Sequence, residues 1–331
     1  MAMAAVAAAA QAQVERPSNS ILLLLPIRPH LEEALSIKYH VLRAWESSMP
    51  THEFLAAHAR GVRVLVCSGR TPVDSATLQR LPGLECVVSS SSGVNHIDLA
   101  ECRRRGLAVT NAGDAFSQDV ADYAVGLLLD CLRRISASDR YVRSGQWSKQ
   151  GQLLCHKGRK LSGKRVGIVG LGSIGSEIVK RLEAFGCRIA YNSRTKKASV
   201  PFPYFSSVRD LAAESDALIV CCALTDETYH SINRDVLLAL GKEGVVINVG
   251  RGALIDEKEL VRCLVQGEIG GAGLDVFEEE PHVPQELITM DNVVLSPHRA
   301  VLTPESSTAS LEVILGNLEA FFSNKPLLSP V

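Results

Sequence analysis

Short aliphatic runs alternate with amphipathic stretches along the 331-residue chain. The runs are apolar at consecutive positions, which is typical of parallel strands covered by helices on both faces. In the first third of the chain, the predicted strands are Ile21–Leu25, Val62–Cys67, Cys86–Ser89 and Leu107–Thr110. The predicted helices between them are Thr51–Arg60, Pro72–Arg80 and Ile97–Arg105. This alternation predicts a doubly wound α/β sheet.

A second α/β series begins at Lys164. Its predicted strands are Arg165–Val169, Cys187–Tyr191, Ala217–Cys222, Val245–Val249, Gly271–Val276 and Asn292–Leu295. Between the two series, a stretch with helical apolar spacing begins near Ser117 and ends in the polar segment 143–146. A final helix is predicted over residues 304–323. The pattern therefore predicts two α/β units.

Composition narrows the class of protein. Hydrophobic residues make up 46% and charged residues 21% of the chain, and the net charge is −1, so the sequence favours an ordinary globular enzyme without a nucleic-acid or membrane partner. The longest aliphatic run, Ile21–Leu25, is far shorter than the ~20 residues of a membrane span. Residues 1–19 are Ala-rich at their start and are expected to form a disordered tail.

The cysteines indicate the compartment. Nine cysteines are scattered without the paired spacing of a disulfide framework or a metal site, and this favours a reducing compartment, with the cytoplasm as the expected location. Cys221 and Cys222 are interpreted as core residues of a strand. No metal is expected.

A glycine turn follows the first strand of the second unit. The pattern GxGxxG occurs at Gly170, Gly172 and Gly175, directly after a predicted strand and at the start of an amphipathic helix. In that context it predicts a dinucleotide site. Gly170 allows the tight turn, Gly172 lets the backbone approach a pyrophosphate, and Gly175 permits close helix–strand packing. The helix N-terminus then offers N–H groups to the phosphates.

The end of the next strand indicates which dinucleotide is bound. About 20 residues past the first glycine, an NAD enzyme places a carboxylate on the ribose 2′-hydroxyl. This chain has Asn192 there, followed by Ser193 and Arg194, with two lysines close by. A carboxylate would repel a 2′-phosphate, whereas an arginine would bind it. The alternative is a solvated basic turn, but the missing acid favours NADPH, with NADH as the weaker alternative.

Three charged residues lie just beyond predicted strand ends of the nucleotide unit, where open α/β sheets bind ligands. Arg251 is suited to bind the carboxylate of a 2-oxo acid, because the planar donors of its guanidinium match the two carboxylate oxygens. His298 suits protonation of the ketone oxygen as hydride reaches the carbon. A neighbouring carboxylate of Glu280 would favour the charged imidazole and orient it. Each residue alone would more often be a surface or structural group; their coincidence favours a reactive centre.

The other histidines lack such support and are interpreted as surface or structural residues. They are His30, His40, His52, His58, His96, His156, His230 and His282.

The sequence resembles the D-isomer-specific 2-hydroxy acid dehydrogenases from Ile21 onward, and within them most the plant hydroxypyruvate and glyoxylate reductases, which are similar to hydroxyphenylpyruvate reductases. The motifs that carry the resemblance are Gly170–Gly175, Asn248–Asp256, Gly273–Pro281 and Ser296–His298. Asn192–Thr195 and Pro281–Pro284 support the subgroup.

The resemblance implies that Arg251 binds substrate, Glu280 is the partner carboxylate and His298 is the acid/base. It implies cofactor contacts at Gly170, Leu171, Gly172, Ser173, Ile174 and Gly175 for the pyrophosphate, at Ser193, Arg194 and Thr195 for the 2′-phosphate, and at Val249, Gly250 and Asp275 for the nicotinamide end. Backbone N–H groups of Ser92 and Gly93 would bind the substrate carboxylate; the alternative for that serine run is a plain polar loop.

The resemblance also implies a fold and an assembly. A Rossmann-type nucleotide domain would cover residues 118–299 and include a dimerisation helix, and a flavodoxin-like substrate domain would combine residues 20–117 and 300–331. A homodimer is expected. Trp147 matches a tryptophan that reaches a neighbouring subunit's pocket in related reductases, although a buried dimer-arm tryptophan fits equally. The sequence departs from many relatives at Ser92, where they have valine, and after His298, where a glycine is common.

The function implied is NADPH-preferring reduction of small 2-oxo acids, with hydroxypyruvate, glyoxylate, pyruvate and 4-hydroxyphenylpyruvate all open. Glu280 argues against a formate dehydrogenase, because such relatives carry a neutral glutamine there. A 3-phosphoglycerate dehydrogenase stays an alternative, although many carry a C-terminal regulatory extension. The non-enzyme alternative is a dinucleotide-sensing binding protein, and turnover of a 2-oxo acid would exclude it.

Overall fold

A computed structural model describes residues 19–151 and 157–331 of the protein. Its contacts divide the chain into two compact units: one reaches up to Gly113 and includes Ser310–Val331, and the other is Asp114–Ala309. The sequence had placed these boundaries at residues 117 and 300. Of the predicted tail, residues 1–18 lie outside the described residues, and so does His156.

The first unit is built on a five-stranded parallel sheet. In chain order its elements are β1 (Ser20–Leu23), α1 (Pro29–Lys38), β2 (His40–Arg43), α2 (Thr51–His58), β3 (Val64–Cys67), α3 (Ser75–Gln79), β4 (Cys86–Ser89), α4 (Leu99–Arg105) and β5 (Ala108–Thr110). The strand order is β2-β1-β3-β4-β5, and every pairing is parallel. This is the flavodoxin-like order that was predicted.

Alternating side chains of this sheet build two separate cores. Leu22 and Leu65 belong to a cluster on one face. Ile21 and Val64 belong to the cluster on the other face, which the C-terminal helix Pro304–Phe322 also enters. Since both faces are covered, the strands are apolar at consecutive positions, as the sequence shows.

Two elements of the first unit have no apolar signature and were not predicted. β2 lies at the sheet edge, and its residues are exposed or half-buried. α1 starts at Pro29, and within it Leu31 and Leu35 are the buried residues. The edge position of β2 and the small number of buried residues in α1 explain why hydrophobic periodicity did not predict these elements.

The second unit contains a six-stranded parallel sheet. Its elements are α5 (Ser117–Arg133), α6 (Ile135–Arg143), α7 (Gln146–Gln150), β6 (Arg165–Val169), α8 (Ser173–Ala184), β7 (Arg188–Asn192), α9 (Val208–Ala213), β8 (Ala217–Val220), α10 (Arg234–Leu240), β9 (Val245–Asn248), α11 (Glu257–Val265), β10 (Gly271–Leu274), α12 (Gln285–Ile288) and β11 (Val293–Leu295). The strand order is β11-β10-β9-β8-β6-β7. Tyr204 adds a parallel bridge beyond β7 at Tyr191. The order reverses between β6 and β8, as in a Rossmann-type sheet, and the predicted fold class is confirmed.

The helix expected to run from Ser117 to the polar segment 143–146 is in fact interrupted. Arg134 adopts a left-handed conformation with φ 57° and separates α5 from α6. The carboxylate of Asp130 accepts a hydrogen bond of 2.8 Å from the N–H of Ser136. This cap supplies the first turn of α6 with an acceptor, so a new helix begins there instead of a continued one. Across the described ranges, no helix has both the length and the apolar character of a membrane span.

Candidate active site

The glycine turn after β6 is fixed by two close backbone approaches. Gly170 has φ 101°, and a Cβ there would lie 2.6 Å from the Cα of Cys222. A Cβ on Gly175 would lie 2.2 Å from the carbonyl oxygen of Gly170. Both positions therefore require glycine, as the predicted turn and helix–strand packing demand.

The N-terminus of α8 presents free donors beside this turn. In the described part of the chain, the amides of Ser173, Ile174 and Gly175 make no backbone hydrogen bond, and the first helical bond of this turn comes from Ser176. No atom lies within 4 Å of a Cβ built on Gly172. Open space, unpaired N–H groups and the positive end of the helix suit a pyrophosphate. Leu171, in contrast, is buried.

The adjacent cysteines do not lie inside a strand, which corrects their interpretation as strand core. β8 ends at Val220, and Cys221 and Cys222 follow it beside the glycine turn. The thiol of Cys221 donates to the carbonyl oxygen of Gly170 at 3.1 Å. Burial raises the pKa of Cys222 to about 11. These side chains support the turn and stay protonated near neutrality.

The end of β7 is arranged around an amide. Nδ2 of Asn192 donates to the carbonyl oxygens of Phe205 and Ser206 at 2.9 and 3.2 Å. An aspartate at this position could not donate these bonds. The hydroxyl of Ser193 donates to the carbonyl of Thr195 at 2.7 Å. Arg194 and Thr195 are exposed.

The turn that carries Arg251 is held by Asn248. The N–H of Gly250 donates to Oδ1 of Asn248 at 3.0 Å, and Nδ2 of Asn248 donates to the carbonyl of Arg251 at 2.8 Å. The guanidinium itself donates to the carbonyl of Gly250 at 2.7 Å. Burial lowers the pKa of Arg251, and the charge of Glu280 opposes that shift. Val249 is buried behind the turn.

Glu280 and His298 form a direct pair. Nδ1 of His298 lies 2.8 and 3.0 Å from the two carboxylate oxygens of Glu280, and the N–H of Phe277 donates to Oε1 of Glu280 at 3.2 Å. Burial opposes ionisation of Glu280, but the hydrogen bond and charge of His298, the Phe277 N–H and the charge of Arg251 outweigh it, so its pKa lies below the ordinary value. A carboxylate that stays charged in this position orients the imidazole through Nδ1.

Asp275 organises the loop that carries His298. Its side chain is 1% exposed and accepts hydrogen bonds from the hydroxyl of Ser296 and from the N–H groups of Arg299 and Ala300, the last two at 2.9 and 3.0 Å. The N–H of His298 donates to the carbonyl of Asp275 at 2.8 Å. This wrapping supports a φ of 52° at His298, which is rare outside glycine. The carboxylate is thus engaged with the loop, and a contact of Asp275 with the nicotinamide end stays a prediction.

One residue of this network was missed by sequence reasoning. The hydroxyl of Tyr123, on α5, lies 2.6 Å from the hydroxyl of Ser296. Tyr123 is separated from Ser296 by 173 positions and belongs to no motif, so no signal in the sequence could have found it.

The loop of Ser92 and Gly93 lies after β4 in the first unit. The carbonyls of Ser91 and Ser92 accept hydrogen bonds from the N–H of Ala112 and from Nδ2 of Asn111, at 3.0 and 2.9 Å. Among the described hydrogen bonds, the amides of Ser92 and Gly93 have no acceptor. The loop is anchored through its carbonyls, and a contact of its N–H groups with the substrate carboxylate stays a prediction. Trp147, on α7, is 52% exposed.

A parallel sheet with a glycine turn and a histidine–carboxylate pair beyond its carboxyl ends is the architecture of oxidoreductases that use nicotinamide dinucleotides. Residues 125–300 match the family model described as D-isomer specific 2-hydroxyacid dehydrogenase, NAD binding domain. The chain belongs to the D-isomer specific 2-hydroxyacid dehydrogenase family, and the predicted resemblance is confirmed.

Relatives and solved structures agree with this assignment. Glyoxylate/hydroxypyruvate reductase HPR3 of Arabidopsis thaliana is 57% identical over 97% of this chain and 99% of its own. Hydroxyphenylpyruvate reductase of Plectranthus scutellarioides is 47% identical over 94% and 98%. The crystal structure of an NADPH-dependent glyoxylate/hydroxypyruvate reductase from Sinorhizobium meliloti, in complex with NADP and malonate, is 38% identical with a TM-score of 0.88, over 95% of this chain and 97% of that chain.

Proposed function

We propose that this protein reduces small 2-oxo acids, hydroxypyruvate and glyoxylate foremost, to 2-hydroxy acids with NADPH. The observation that carries the proposal is the contact of 2.8 Å between Glu280 and Nδ1 of His298, with the charge of Arg251 acting on the same carboxylate. The names of the relatives support the substrate class.

Each residue of this group has a task in the reaction. Glu280 holds Nδ1 of His298, so the other ring nitrogen, which has no partner among the described residues, is the one that gives a proton to the ketone oxygen. Arg251 holds the substrate carboxylate and polarises the ketone. NADPH, when bound, supplies the hydride that reaches the carbonyl carbon. The product is the 2-hydroxy acid.

We propose that the amides of Ser92 and Gly93, which have no acceptor among the described hydrogen bonds, bind a substrate carboxylate, since backbone N–H groups favour anions. The glycine turn and the start of α8 are suited to the pyrophosphate.

Substrate and cofactor choice are tested together. Oxidation of NADPH and of NADH is followed by absorbance against glyoxylate, hydroxypyruvate, pyruvate and 4-hydroxyphenylpyruvate in parallel. The expected result is turnover of at least one acid, faster with NADPH. Binding of NADPH without turnover of any acid would instead identify a dinucleotide-sensing binding protein.

NADPH preference is proposed from the end of β7. The amide of Asn192 donates to backbone carbonyls, and Arg194 is exposed and takes part in no ion pair of the described residues. The amide of Asn192 is held by these hydrogen bonds, and the guanidinium of Arg194 has no ion-pair partner among the described residues. This arrangement favours binding of a 2′-phosphate over binding of the ribose hydroxyls.

Arg194→Asp is expected to lower the ratio of kcat/KM for NADPH over NADH at least ~10-fold, because a hydrogen bond to a charged group contributes ~1.5–3 kcal/mol. Arg188→Asp is the matched control, since Arg188 is an exposed arginine at the other end of the same strand. Equal ratios in the wild type and in Arg194→Asp would contradict the role of Arg194.

We also propose a cytoplasmic homodimer. Eight described cysteines are free, which suits a reducing compartment. Ile135, Val142 and Trp147 expose about half of their surface on α6 and α7 and suit contact with a second copy. Light scattering and a fluorescent fusion test these two points.

A further inference from the structure

A second histidine–carboxylate pair joins His230 to Glu278, which lies on the loop that carries Glu280. Nε2 of His230 is 2.7 Å from Oε1 of Glu278, and its Nδ1 is 3.9 Å from Oδ2 of Asp256. The ring of Tyr229 stacks on the imidazole with centroids 4.0 Å apart. The sequence indicated a surface or structural histidine; the structure places it between two carboxylates, beside the candidate site.

The backbone of His230 also contacts the turn after Arg251. Its N–H donates to the carbonyl of Ala253 at 2.9 Å, and its φ is 49°. A Cβ on Gly252 would lie 1.9 Å from the carbonyl carbon of Phe277. The arginine turn therefore packs directly on the backbone that precedes Glu278, and His230 contacts both segments.

The same loop is fixed on its other side. The N–H of Glu278 donates to Oε2 of Glu257 at 3.2 Å. Glu278 is therefore held through its side chain by His230 and through its backbone by α11. Only Glu279 separates it from Glu280, so a displacement of Glu278 moves the carboxylate that orients His298.

We propose that His230 is a positioning residue for the reaction: by fixing Glu278 and the turn after Arg251, it sets the distance between Glu280 and His298. The expected loss of kcat rests on the proposed function, whereas the expected displacement of Glu280 relative to His298 does not. Since a 1 Å misplacement can cost ~100-fold in rate, a looser loop is expected to cost about 10-fold in kcat.

The loop offers a matched pair of variants. Glu278→Gln and Glu279→Gln remove the same charge from adjacent positions, but only Glu278 contacts His230, while Glu279 is exposed. Both glutamines are isosteric with glutamate, and melting temperatures are measured first to show that the variants fold.

The first readout does not depend on turnover. Protein labelled with ¹⁵N-histidine gives a His298 ring signal, assigned by its loss in His298→Ala. In Glu278→Gln, the chemical shift of this signal at fixed pH is expected to change, because a displaced Glu280 alters the hydrogen bond at Nδ1 of His298. In Glu279→Gln it is expected to stay at the wild-type position. An identical signal in wild type and Glu278→Gln would overturn the proposal.

The second readout is kinetic and includes rescue. In His230→Asn, the asparagine tolerates the positive φ, but its side chain is too short to reach Glu278. In His230→Gln, the longer side chain brings an amide donor to Glu278. The expected result is a kcat about 10-fold lower in His230→Asn, unchanged affinity for NADPH, and recovery to within about 3-fold in His230→Gln. Equal losses in both variants would contradict the role of the Glu278 contact. If the wild type reduces none of the four acids, the proposed function fails, while the His298 signal still decides the positioning role.

Discussion

Two histidine–carboxylate pairs of the nucleotide unit have their glutamates on one loop, and they differ in their surroundings. In the pair of His298 and Glu280 the side chains are 39% and 36% exposed, and the second ring nitrogen of His298 has no partner among the described residues. In the pair of His230 and Glu278 they are 27% and 24% exposed, and the second ring nitrogen faces Asp256. The contact distances are nearly equal, at 2.8 and 2.7 Å. The contact distance therefore does not distinguish the two pairs, whereas the second ring nitrogen does, and this difference supports the proposed role of His298 as the proton donor.

The largest expected effect separates the two histidines. His298→Ala removes the proposed proton donor and is expected to lower kcat at least ~100-fold while NADPH still binds. Steady-state kinetics and a fluorescence titration with NADPH measure the two quantities. His282→Ala, at an exposed position near the same loop, is the control and should keep wild-type turnover. Unchanged turnover in His298→Ala would remove this residue from the mechanism.

The second effect concerns Arg251, whose charge acts on the pair of Glu280 and His298. The charge of Arg251 acts on Glu280. Arg251→Lys keeps that charge but loses the planar fork, so KM for the 2-oxo acid should rise and kcat should fall, together by about 10-fold or more in kcat/KM. Arg299→Lys makes the same exchange at an exposed arginine beside His298. Equal kinetics in the two variants would count against a substrate contact of Arg251.

Much of the fold could be predicted because buried parallel strands are apolar at every position. All six strands of the nucleotide unit were predicted within two residues of their ends, whereas β2, at a half-exposed edge, was not. The geometry of Glu280 and His298 was also accessible, since carboxyl ends of parallel strands meet at one edge. Their catalytic roles stay predictions.

The supporting contacts could not be read from the sequence. His230 depends on a left-handed backbone and on a partner 48 positions away. Asp275 belongs to a sequence motif, but its hydrogen bonds to Ser296, Arg299 and Ala300 depend on the path of a loop. Hydrophobic periodicity does not predict that path.

The third effect concerns stability and pH. The pKa of Glu280 is lowered in the folded protein, so its ionised form stabilises the fold above the ordinary pKa of 4.5, and this contribution is lost as pH falls through the lower folded value. The wild type should therefore be more stable than Glu280→Gln near neutrality, and the difference should shrink below about pH 4.5. Urea unfolding of both proteins across pH 3–7 measures it. A difference that grows toward acid pH would contradict the charged carboxylate.

The smallest effect tests whether a contact also holds the His298 loop in position, as His230 is proposed to do for the loop of Glu280. Tyr123 reaches the His298 loop through the hydroxyl of Ser296. Tyr123→Phe removes one hydroxyl and is expected to lower kcat about 2- to 5-fold, with a stability loss of ~1 kcal/mol. Tyr141→Phe is the control, because Tyr141 also donates one bond, to the carbonyl of Gly151, away from the loop.

The two tyrosine variants should lose similar stability, and only Tyr123→Phe should lose turnover. A double-mutant cycle of Tyr123→Phe with Ser296→Ala then isolates the contact, since coupled residues lose less together than the sum of their separate losses. Additive effects on kcat, or equal turnover in Tyr123→Phe and Tyr141→Phe, would show that the hydroxyl pair supports the fold without setting the position of His298. In that case the loop of Asp275 alone would hold the imidazole, and His230 would be the one positioning histidine contact of this site.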